Sequence, residues 1–407
     1  MSETLSANLL LDYLVELGTG LLSAGCPTHR LEDLLGVVAA HEGFECDAFA
    51  VPTGLFLSVR TPEGAPPAMQ MVRVREWSTN LERLAALDEV LNGVADRTVT
   101  VAEARRRIAA ITNKTDTWSP RAVTLATMGA SAGAAVSLGG DQVDFVLAAM
   151  GALALRGLMY LARGSPTARF LENFLGGAVA GLVAWLSTLV WPTHSREVLV
   201  LSVIIPLLPG MVLTTGLAEL TYRNLVSGTA RLMEAAVTLL ALVFGILVML
   251  GLEQRFGFKP EPAAPVIAAS WPFQLLALVT AAISFGVLLG LRREWLWVAL
   301  LSDGVVWAAS QATRALPGFH AAFLAAMALS VAANIYARVS QRPSQLFSLP
   351  GLLLLVPGAF GFRSLDALLR GDYTAGAGQF ADMVLTAAAL VMGLLVANVV
   401  LPSRKIL

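Results

Sequence analysis

The sequence has little charge and few of the residues that build metal or redox sites. Charged residues make up 14% of its 407 residues, against about 25% in a typical soluble domain. Two cysteines exclude a disulfide framework, and no basic face is dense enough to bind nucleic acid. The N-terminal segment lacks a basic n-region and carries Asp12 and Glu16. It is therefore predicted to be an amphipathic soluble helix and not a signal peptide.

What the sequence does have is a long series of apolar segments behind a charged N-terminal part. Residues 1–118 hold 16 acidic and 10 basic residues, whereas 119–407 hold 13 and 18. Helical periodicity over 5–24 and 28–41, with the strand-like "CDAFAVPTGLFLSVR" and "AMQMVRVRE", predicts a soluble α+β domain over 1–118. The rest is predicted to form two membrane units, 119–252 and 271–407, joined by a Pro-rich extracytoplasmic linker, 253–270.

Ten apolar segments beyond residue 120 have about the 20-residue length that spans a bilayer. With the N-terminal domain inside the cell, ten Lys/Arg fall in cytoplasmic loops and six on the other side. This bias predicts that both termini are cytoplasmic. The predicted spans are 121–138, 142–162, 170–190, 198–218, 230–252, 271–291, 295–313, 319–338, 346–365 and 379–401.

One predicted span in each half is interrupted by proline and glycine. "LLPGMVLTTGLAEL" aligns without a gap on "LVPGAFGFRSLDAL", at an offset of 357 − 209 = 148. Each half has five spans, an odd number, so the second copy is predicted to enter the membrane upside down. Inverted repeats with broken helices are typical of secondary transporters, whose sites lie where the breaks meet. The alternative is a pair of kinks needed only for packing.

Acidic residues at membrane depth indicate a coupling mechanism. Asp303 lies near the centre of the seventh predicted span, where a charged carboxylate is costly and usually functional. It is therefore a candidate proton carrier. Glu234 and Asp382 are repeat mates near the start of their spans and are the reserve candidates. Their alternative interpretation is solvation at the membrane interface.

Four residues of the N-terminal domain offer a competing metal site. Cys26, His29, His41 and Cys46 include both cysteines and two of the four histidines. Their C-x2-H and H-x4-C spacing does not match a standard zinc arrangement. A buried thiol and surface imidazoles are the simpler interpretation, and we predict no metal and no other cofactor.

Four segments together resemble the threonine/serine exporter (ThrE) family: "SAGCPTHRLEDLL", "VPTGLFLSV", "LLPGMVLTTGLAEL" and "SLPGLLLLVPGAFGFRSLDALLRGD". The resemblance covers essentially the whole chain, with both five-span halves fused. It implies export of threonine and serine driven by an ion gradient, with protons the expected coupling ion. In the N-terminal signature it matches Gly25, Arg30 and Glu32. Around the breaks it implies substrate-binding roles for Pro209, Gly210, Thr214, Thr215 and Glu219, and for Pro357, Gly358, Arg363 and Asp366.

The sequence therefore predicts a polytopic α-helical membrane protein that is a transporter and not an enzyme. The expected location is the bacterial inner membrane, and the expected partners are threonine, serine, protons and lipid. A homo-oligomer is compatible with the sequence. Two other functions stay open at this point: a membrane-anchored metal-dependent hydrolase, and a passive channel for small solutes or a scaffold for another exporter.

Overall fold

The structure is a computed structural model that describes residues 7–60, 66–75, 77–162, 171–191, 195–256, 269–355 and 358–402. Two sequence predictions fall partly outside these ranges: Pro357 of the second break, and most of the linker between the two membrane units.

The N-terminal domain packs four helices around a three-stranded antiparallel sheet with strand order β1-β2-β3. Its core is formed by the apolar faces of the first two helices and strand β2, including Leu14, Leu31 and Leu57. The α+β prediction is confirmed. The elements are α1 (Ala7–Ser23), α2 (Thr28–His41), β1 (Glu45–Val51), β2 (Gly54–Arg60), β3 (Ala68–Arg73), α3 (Leu81–Ala95) and α4 (Val101–Thr112).

Two local features of this domain follow from its sequence. "CDAFAVPTGLFLSVR" was predicted as one strand, but Pro52 and Thr53 form a two-residue turn that folds it into the β1–β2 hairpin. Between α1 and α2 the backbone reverses at Gly25, whose φ is +91°. A side chain there would also approach Thr79, so only glycine fits this turn without strain.

The remainder of the described chain is helical. Its helices are α5 (Pro120–Ser137), α6 (Gln142–Ala162), α7 (Glu172–Val190), α8 (Arg196–Ile204), α9 (Gly210–Thr221), α10 (Leu225–Arg255), α11 (Trp271–Leu288), α12 (Leu296–Ala312), α13 (Gly318–Ser340), α14 (Gln345–Leu355), α15 (Gly358–Leu369) and α16 (Tyr373–Val400). Short 3₁₀ turns lie at Ile205–Leu207 and Arg293–Trp295.

Among the described residues, seven spans pass a length and hydropathy test for crossing a membrane. The bent pair Arg196–Leu207 and Gly210–Thr221 makes an eighth if it is counted as one span. The sequence predicted about ten. The two helices that fall short are α5, which is rich in alanine, glycine and serine, and α12, which has 17 residues. The described residues thus form a multi-pass membrane protein with seven or eight candidate spans.

The order of elements recurs along the chain at the offset found in the sequence. Helices α9 and α15 begin 358 − 210 = 148 residues apart, and α10 and α16 begin 373 − 225 = 148 apart. Their packing also recurs, because α7 packs on α10 as α13 packs on α16. The glycine mates Gly228 and Gly376 each lie against a leucine of the preceding helix, Leu220 and Leu368. Those leucines are themselves 148 residues apart.

Candidate functional site

The first interrupted segment forms a bend in the middle of a span. Pro206 lies in the 3₁₀ turn after α8, and Pro209 is the N-cap residue of α9. Neither proline has an N–H to donate, so the hydrogen-bond ladder cannot run through this stretch. The two helical pieces meet at an angle of 60°. The break predicted from the prolines is therefore present.

The second interrupted segment lies against the first. Helix α14 ends at Leu355 and α15 begins at Gly358. A Cβ at Gly358 would lie 3.6 Å from the Cα of Gly210 and 3.4 Å from the Cβ of Leu208. The N-termini of α9 and α15 therefore meet at their repeat-mate glycines, Gly210 and Gly358.

A cavity of about 490 Å³ opens beside this meeting point. Its size is within the range of small-molecule sites. It is mostly apolar, and Pro209 and Gly358 both line it. The polar lining residues are Thr79, Thr127, Ser137 and Arg156. We call it the central cavity. Helix N-termini carry partial positive charge and unpaired N–H groups, so two of them with Arg156 favour a bound carboxylate.

Asp303 is buried on α12, as its position in the sequence predicted. Asp303 is 0% exposed, and neither of its carboxylate oxygens has a hydrogen-bond partner among the described residues. Its neighbour Ser302 accepts from Gly351 N at 2.8 Å and donates to Phe347 O at 2.5 Å. Those two backbone groups lie one turn apart in α14, and an uninterrupted helix pairs such groups directly. Through this hydroxyl, which lies next to Pro350 of α14, the two helices α12 and α14 are attached to each other.

Glu219 does not lie in the central cavity. Its carboxylate is fully buried and pairs with the Nε of Arg231 at 3.0 Å. The other carboxylate oxygen accepts from the backbone N of Thr28 at 3.1 Å and from its Oγ1 at 3.0 Å. Thr28 begins α2, so Glu219 satisfies orphan donors at a helix N-terminus of the N-terminal domain. The residue joins the membrane part to that domain.

Further hydrogen bonds also join the N-terminal domain to the first half of the helical part. Glu32 accepts from the side-chain amide of Asn224 at 2.8 Å and from Ala50 N at 2.7 Å. Ser227 Oγ donates to Ala50 O at 3.0 Å. The groups on the first half lie in or beside the short turn between α9 and α10, and their partners lie in the N-terminal signature and in strand β1. The "CPTHRLE" segment therefore holds the corner between α9 and α10.

The N-terminal domain also contacts the second half. Leu81 N donates to Leu289 O at 2.8 Å, and Trp118 Nε1 donates to Leu291 O at 2.7 Å. The buried Glu82 pairs with Arg292 at 3.1 Å. These contacts fall on the loop between α11 and α12. The N-terminal domain thus contacts both halves of the helical part.

The predicted site residues of α15 lie at the end of the molecule opposite the N-terminal domain. Arg363 pairs with Glu197 at 2.6 Å, and Asp366 pairs with Arg370 at 2.8 Å. Arg363 and Asp366 line an open cavity together with the bidentate Arg196–Glu253 pair. This charged cluster is separate from the central cavity.

The charged cavity at that end has a volume of about 510 Å³. Both of its ion pairs on α15 are partly exposed. Exposed pairs of this kind contribute little to stability, about 0–1 kcal/mol each. Breaking either pair therefore costs less than breaking the buried pair between Glu219 and Arg231.

Four other predicted site residues line neither the central cavity nor the charged cavity: Thr214, Thr215, Glu234 and Asp382. Thr214 and Thr215 line a smaller cleft between α9 and the N-terminal domain. The Thr214 hydroxyl donates to Gly210 O at 3.1 Å, one turn back in the same helix. Glu234 and Asp382 are exposed on α10 and α16. Of the predicted substrate residues, Pro209, Gly210 and Gly358 lie at the meeting point beside the central cavity. The others do not line that cavity: Thr214, Thr215, Glu219, Arg363 and Asp366.

The four residues of the alternative metal site have other surroundings. Burial raises the pKa of the Cys26 thiol to about 12 and lowers the pKa of His29 to about 4. The His29 ring stacks on Tyr222 at 4.1 Å, His41 faces Glu42, and Cys46 lies in β1. Within the described ranges, no three His, Cys, Asp or Glu residues form a group able to hold a metal ion.

Two residues that form these contacts, Arg231 and Glu82, were not predicted from the sequence to do so. No role was predicted for Arg231, although it is the buried partner of Glu219 and also lies over the Trp77 ring at 5.3 Å. A buried acid at the end of a broken span was the available signal, because such a charge requires a partner. For Glu82, buried beside Arg292, nothing in the local sequence indicated a contact 210 residues away.

The fold and the cavity define a multi-pass helical membrane protein with an N-terminal α+β domain and broken helices around a central cavity. Residues 12–253 match the family model described as "Putative threonine/serine exporter", and residues 274–400 match that described as "Threonine/Serine exporter, ThrE". The chain belongs to this threonine/serine exporter family and carries both of its regions. The family resemblance seen in the sequence is confirmed, and the family is one of transporters and not of enzymes.

Individual relatives agree with this assignment. The chain is similar to the "Probable threonine/serine exporter" of Mycobacterium tuberculosis, with 26% identity over 96% of this chain and 76% of the relative. It is also similar to "Pheromone-regulated membrane protein 10" of Kluyveromyces lactis (24% identity) and of Debaryomyces hansenii (22%). These matches cover 90% and 88% of this chain but only 39% and 36% of the two yeast proteins. No solved structure matches.

Proposed function

We propose that this protein is a secondary transporter that exports threonine and serine across the bacterial inner membrane, with the central cavity as its substrate site. The observation that carries the proposal is the meeting of Gly210 and Gly358, the first residues of two broken helices, beside a cavity of small-molecule size. Membership of the exporter family supports the substrate class.

The central cavity matches the chemistry of a small hydroxylated amino acid. The carboxylate lies at the N-termini of α9 and α15, near Arg156, where the helix dipoles and the guanidinium attract it. Carbonyl oxygens of the unwound stretch around Pro206 and Pro209 receive the ammonium group. Thr127 on α5 supplies a hydroxyl oxygen that accepts a hydrogen bond from the substrate side chain.

The two halves are proposed to be inverted repeats with ten spans in all. The support is that corresponding helices of the two halves run in opposite directions relative to the N-terminal domain. In the first half, α9 runs from the break toward that domain, because Glu219 near its end contacts Thr28. In the second half, Gln345 at the start of α14 shares a cleft with His29, and α15 runs from the break toward the opposite end. This arrangement requires α5 and α12 to cross the membrane despite their shorter or less apolar sequences.

Asp303 is the proposed proton carrier, with Glu234 and Asp382 in reserve. The support is its complete burial with no hydrogen-bond partner in the described part of the chain, together with the Ser302 contact that attaches α12 to α14. Helix α14 contributes Leu353 and Leu354 to the central cavity. A change of charge at Asp303 therefore acts on a helix that lines the substrate site. Exposed Glu234 and Asp382 have no comparable link to the cavity among the described residues.

Flux through reconstituted vesicles tests both parts of the proposal. Purified protein should exchange labelled threonine and serine, and should accumulate them against an imposed pH gradient. Asp303→Asn keeps the side-chain size but cannot ionise, so exchange should persist while accumulation is lost. Asp372→Asn is the matched control, because Asp372 is an exposed N-cap and asparagine also caps helices well.

The outcomes separate function from coupling. Folded wild-type protein that exchanges neither threonine nor serine contradicts the exporter function. An Asp303→Asn protein that concentrates threonine with the wild-type response to pH removes Asp303 from the mechanism and leaves the exporter function in place.

A further inference from the structure

A second cleft lies between the N-terminal domain and the membrane helices, apart from the central cavity. Its volume is about 120 Å³. Its walls come from three parts of the chain: α2 of the N-terminal domain, α9 of the first half, and α13, α14 and α16 of the second half. We call it the docking cleft. A space of this size admits only a small molecule.

Three polar groups in the docking cleft have no partner within the described residues. Gln345 is 5% exposed, yet its side-chain oxygen accepts no hydrogen bond. The Nδ1 atom of His29 is also buried and unpaired. Arg30 lines the same cleft and makes no hydrogen bond or ion pair with the described part of the chain. Buried polar groups are normally satisfied, so groups of this kind that share one cleft indicate a bound ligand or water.

The types of these groups define the ligand. Arg30 is the single charged residue among those that line the cleft, so the site favours an anion. The Gln345 oxygen is an acceptor, so the same ligand must also donate. A simple inorganic anion leaves the Gln345 oxygen unsatisfied, whereas an amino acid supplies both a carboxylate and an ammonium group. Because burial keeps His29 neutral, its ring adds no second positive charge to repel that ammonium.

We propose that the docking cleft is a second binding site for a small α-amino acid, whose carboxylate lies at Arg30 and whose ammonium group lies at the Gln345 oxygen. The Thr215 side chain lies in the same cleft, on the first half. A ligand there contacts the N-terminal domain and both halves at once. The choice of threonine or serine as that amino acid rests on the proposed function.

Occupancy of this site and docking of the N-terminal domain are linked. Arg30 lies two residues after Thr28, which is hydrogen-bonded to Glu219. Any change that loosens this contact separates the Arg30 side of the cleft from the Gln345 side. By reciprocity, a ligand that binds only the closed cleft also stabilises the docked domain. By binding amino acid from the cytoplasm, the docking cleft therefore changes how firmly the N-terminal domain is held on the membrane helices. It is not itself the transport site.

The test is the stoichiometry of labelled threonine bound to the full-length protein in lipid nanodiscs. Wild type should bind two equivalents per chain. Arg30→Gln should lose one, with at least about tenfold weaker binding at that site, the loss expected for one charge-assisted hydrogen bond. Gln345→Leu should lose the same equivalent. Arg223→Gln is the matched control, since Arg223 is exposed and close by but does not line the cleft.

A size-exclusion profile of each variant shows whether it is folded. If Arg30→Gln does not fold, Gln345→Leu still tests the site. Wild type that transports threonine and binds one equivalent, unchanged in Arg30→Gln and Gln345→Leu, overturns the second site and leaves the proposed function intact. One equivalent that is lost in both variants, in a protein without threonine transport, supports the cleft and contradicts the exporter function.

Discussion

Replacing Glu219 by glutamine should loosen the N-terminal domain from the membrane helices. The carboxylate is fully buried and receives three hydrogen bonds, two from Thr28 and one from Arg231. Glutamine can keep its oxygen toward Thr28, and its NH₂ group, which cannot accept a hydrogen bond, then faces Arg231. The guanidinium, itself 5% exposed, then stays buried without a counter-charge.

The magnitude follows from that geometry. Removing one partner of a buried ion pair costs about 3–5 kcal/mol. The Trp77 ring still faces the Arg231 guanidinium, and such a contact offsets about 0.5–2 kcal/mol. The net cost is therefore about 3 kcal/mol, which corresponds to roughly a hundredfold change in the docking equilibrium. Replacing Arg231 by methionine in the same protein should restore much of the loss, because no buried charge remains unpaired.

Amide hydrogen exchange in the first turns of α2 and α10 measures this change. Both segments should exchange faster in Glu219→Gln, by up to the same hundredfold where local opening controls exchange. Glu16→Gln is the control, because Glu16 pairs with Arg105 within the N-terminal domain on a partly exposed surface and should cost about 1 kcal/mol or less. Exchange in Glu219→Gln that matches this control would refute the argument that the buried pair fastens the domain.

Three further predictions use other parts of the structure. The pKa of His29 falls from 6.5 to about 4 on folding because of burial, so the unfolded chain binds more protons between those pH values. Stability should decrease as pH drops from 6.5 toward 4, as followed by thermal unfolding, and His29→Phe should remove that part of the pH response. Cysteines at the exposed positions Val226 and Thr374, in a background without native cysteines, should react with impermeant thiol reagents from opposite sides of the membrane; labelling from one side only would contradict inversion. Pro209→Ala should allow the bend to straighten, so the protein should insert normally but lose most threonine flux, and normal flux would make the bend a packing feature.

The parts of the fold that the sequence predicted are those fixed by local chemistry. Proline cannot donate a hydrogen bond, so the bend at Pro209 and the start of α9 at Gly210 follow from neighbouring residues. The 148-residue offset then placed α15 and α16 without further information. Asp303 was found because a carboxylate in a long apolar segment has few structural explanations.

The parts that the sequence missed depend on contacts between distant segments. The resemblance implied a substrate-binding role for Glu219, and its contact with Thr28, 191 residues away, was not predicted. Periodicity carries no information on such a pairing. The Pro52–Thr53 turn was overlooked because both flanking segments have strand composition. Arg363 and Asp366 follow their break as Glu219 follows its own, yet opposite helix directions place them at opposite ends of the molecule.

Protection of a cysteine in the central cavity by substrate tests the central claim most directly. Val212 lines that cavity, and Val212→Cys in a background without Cys26 and Cys46 gives it a single reactive thiol. The account predicts that threonine and serine slow thiol modification at position 212 in a concentration-dependent manner. Valine, which matches threonine in shape but lacks the hydroxyl, should protect less. A modification rate that saturating threonine leaves unchanged, in folded protein, would contradict the assignment of the central cavity as the substrate site.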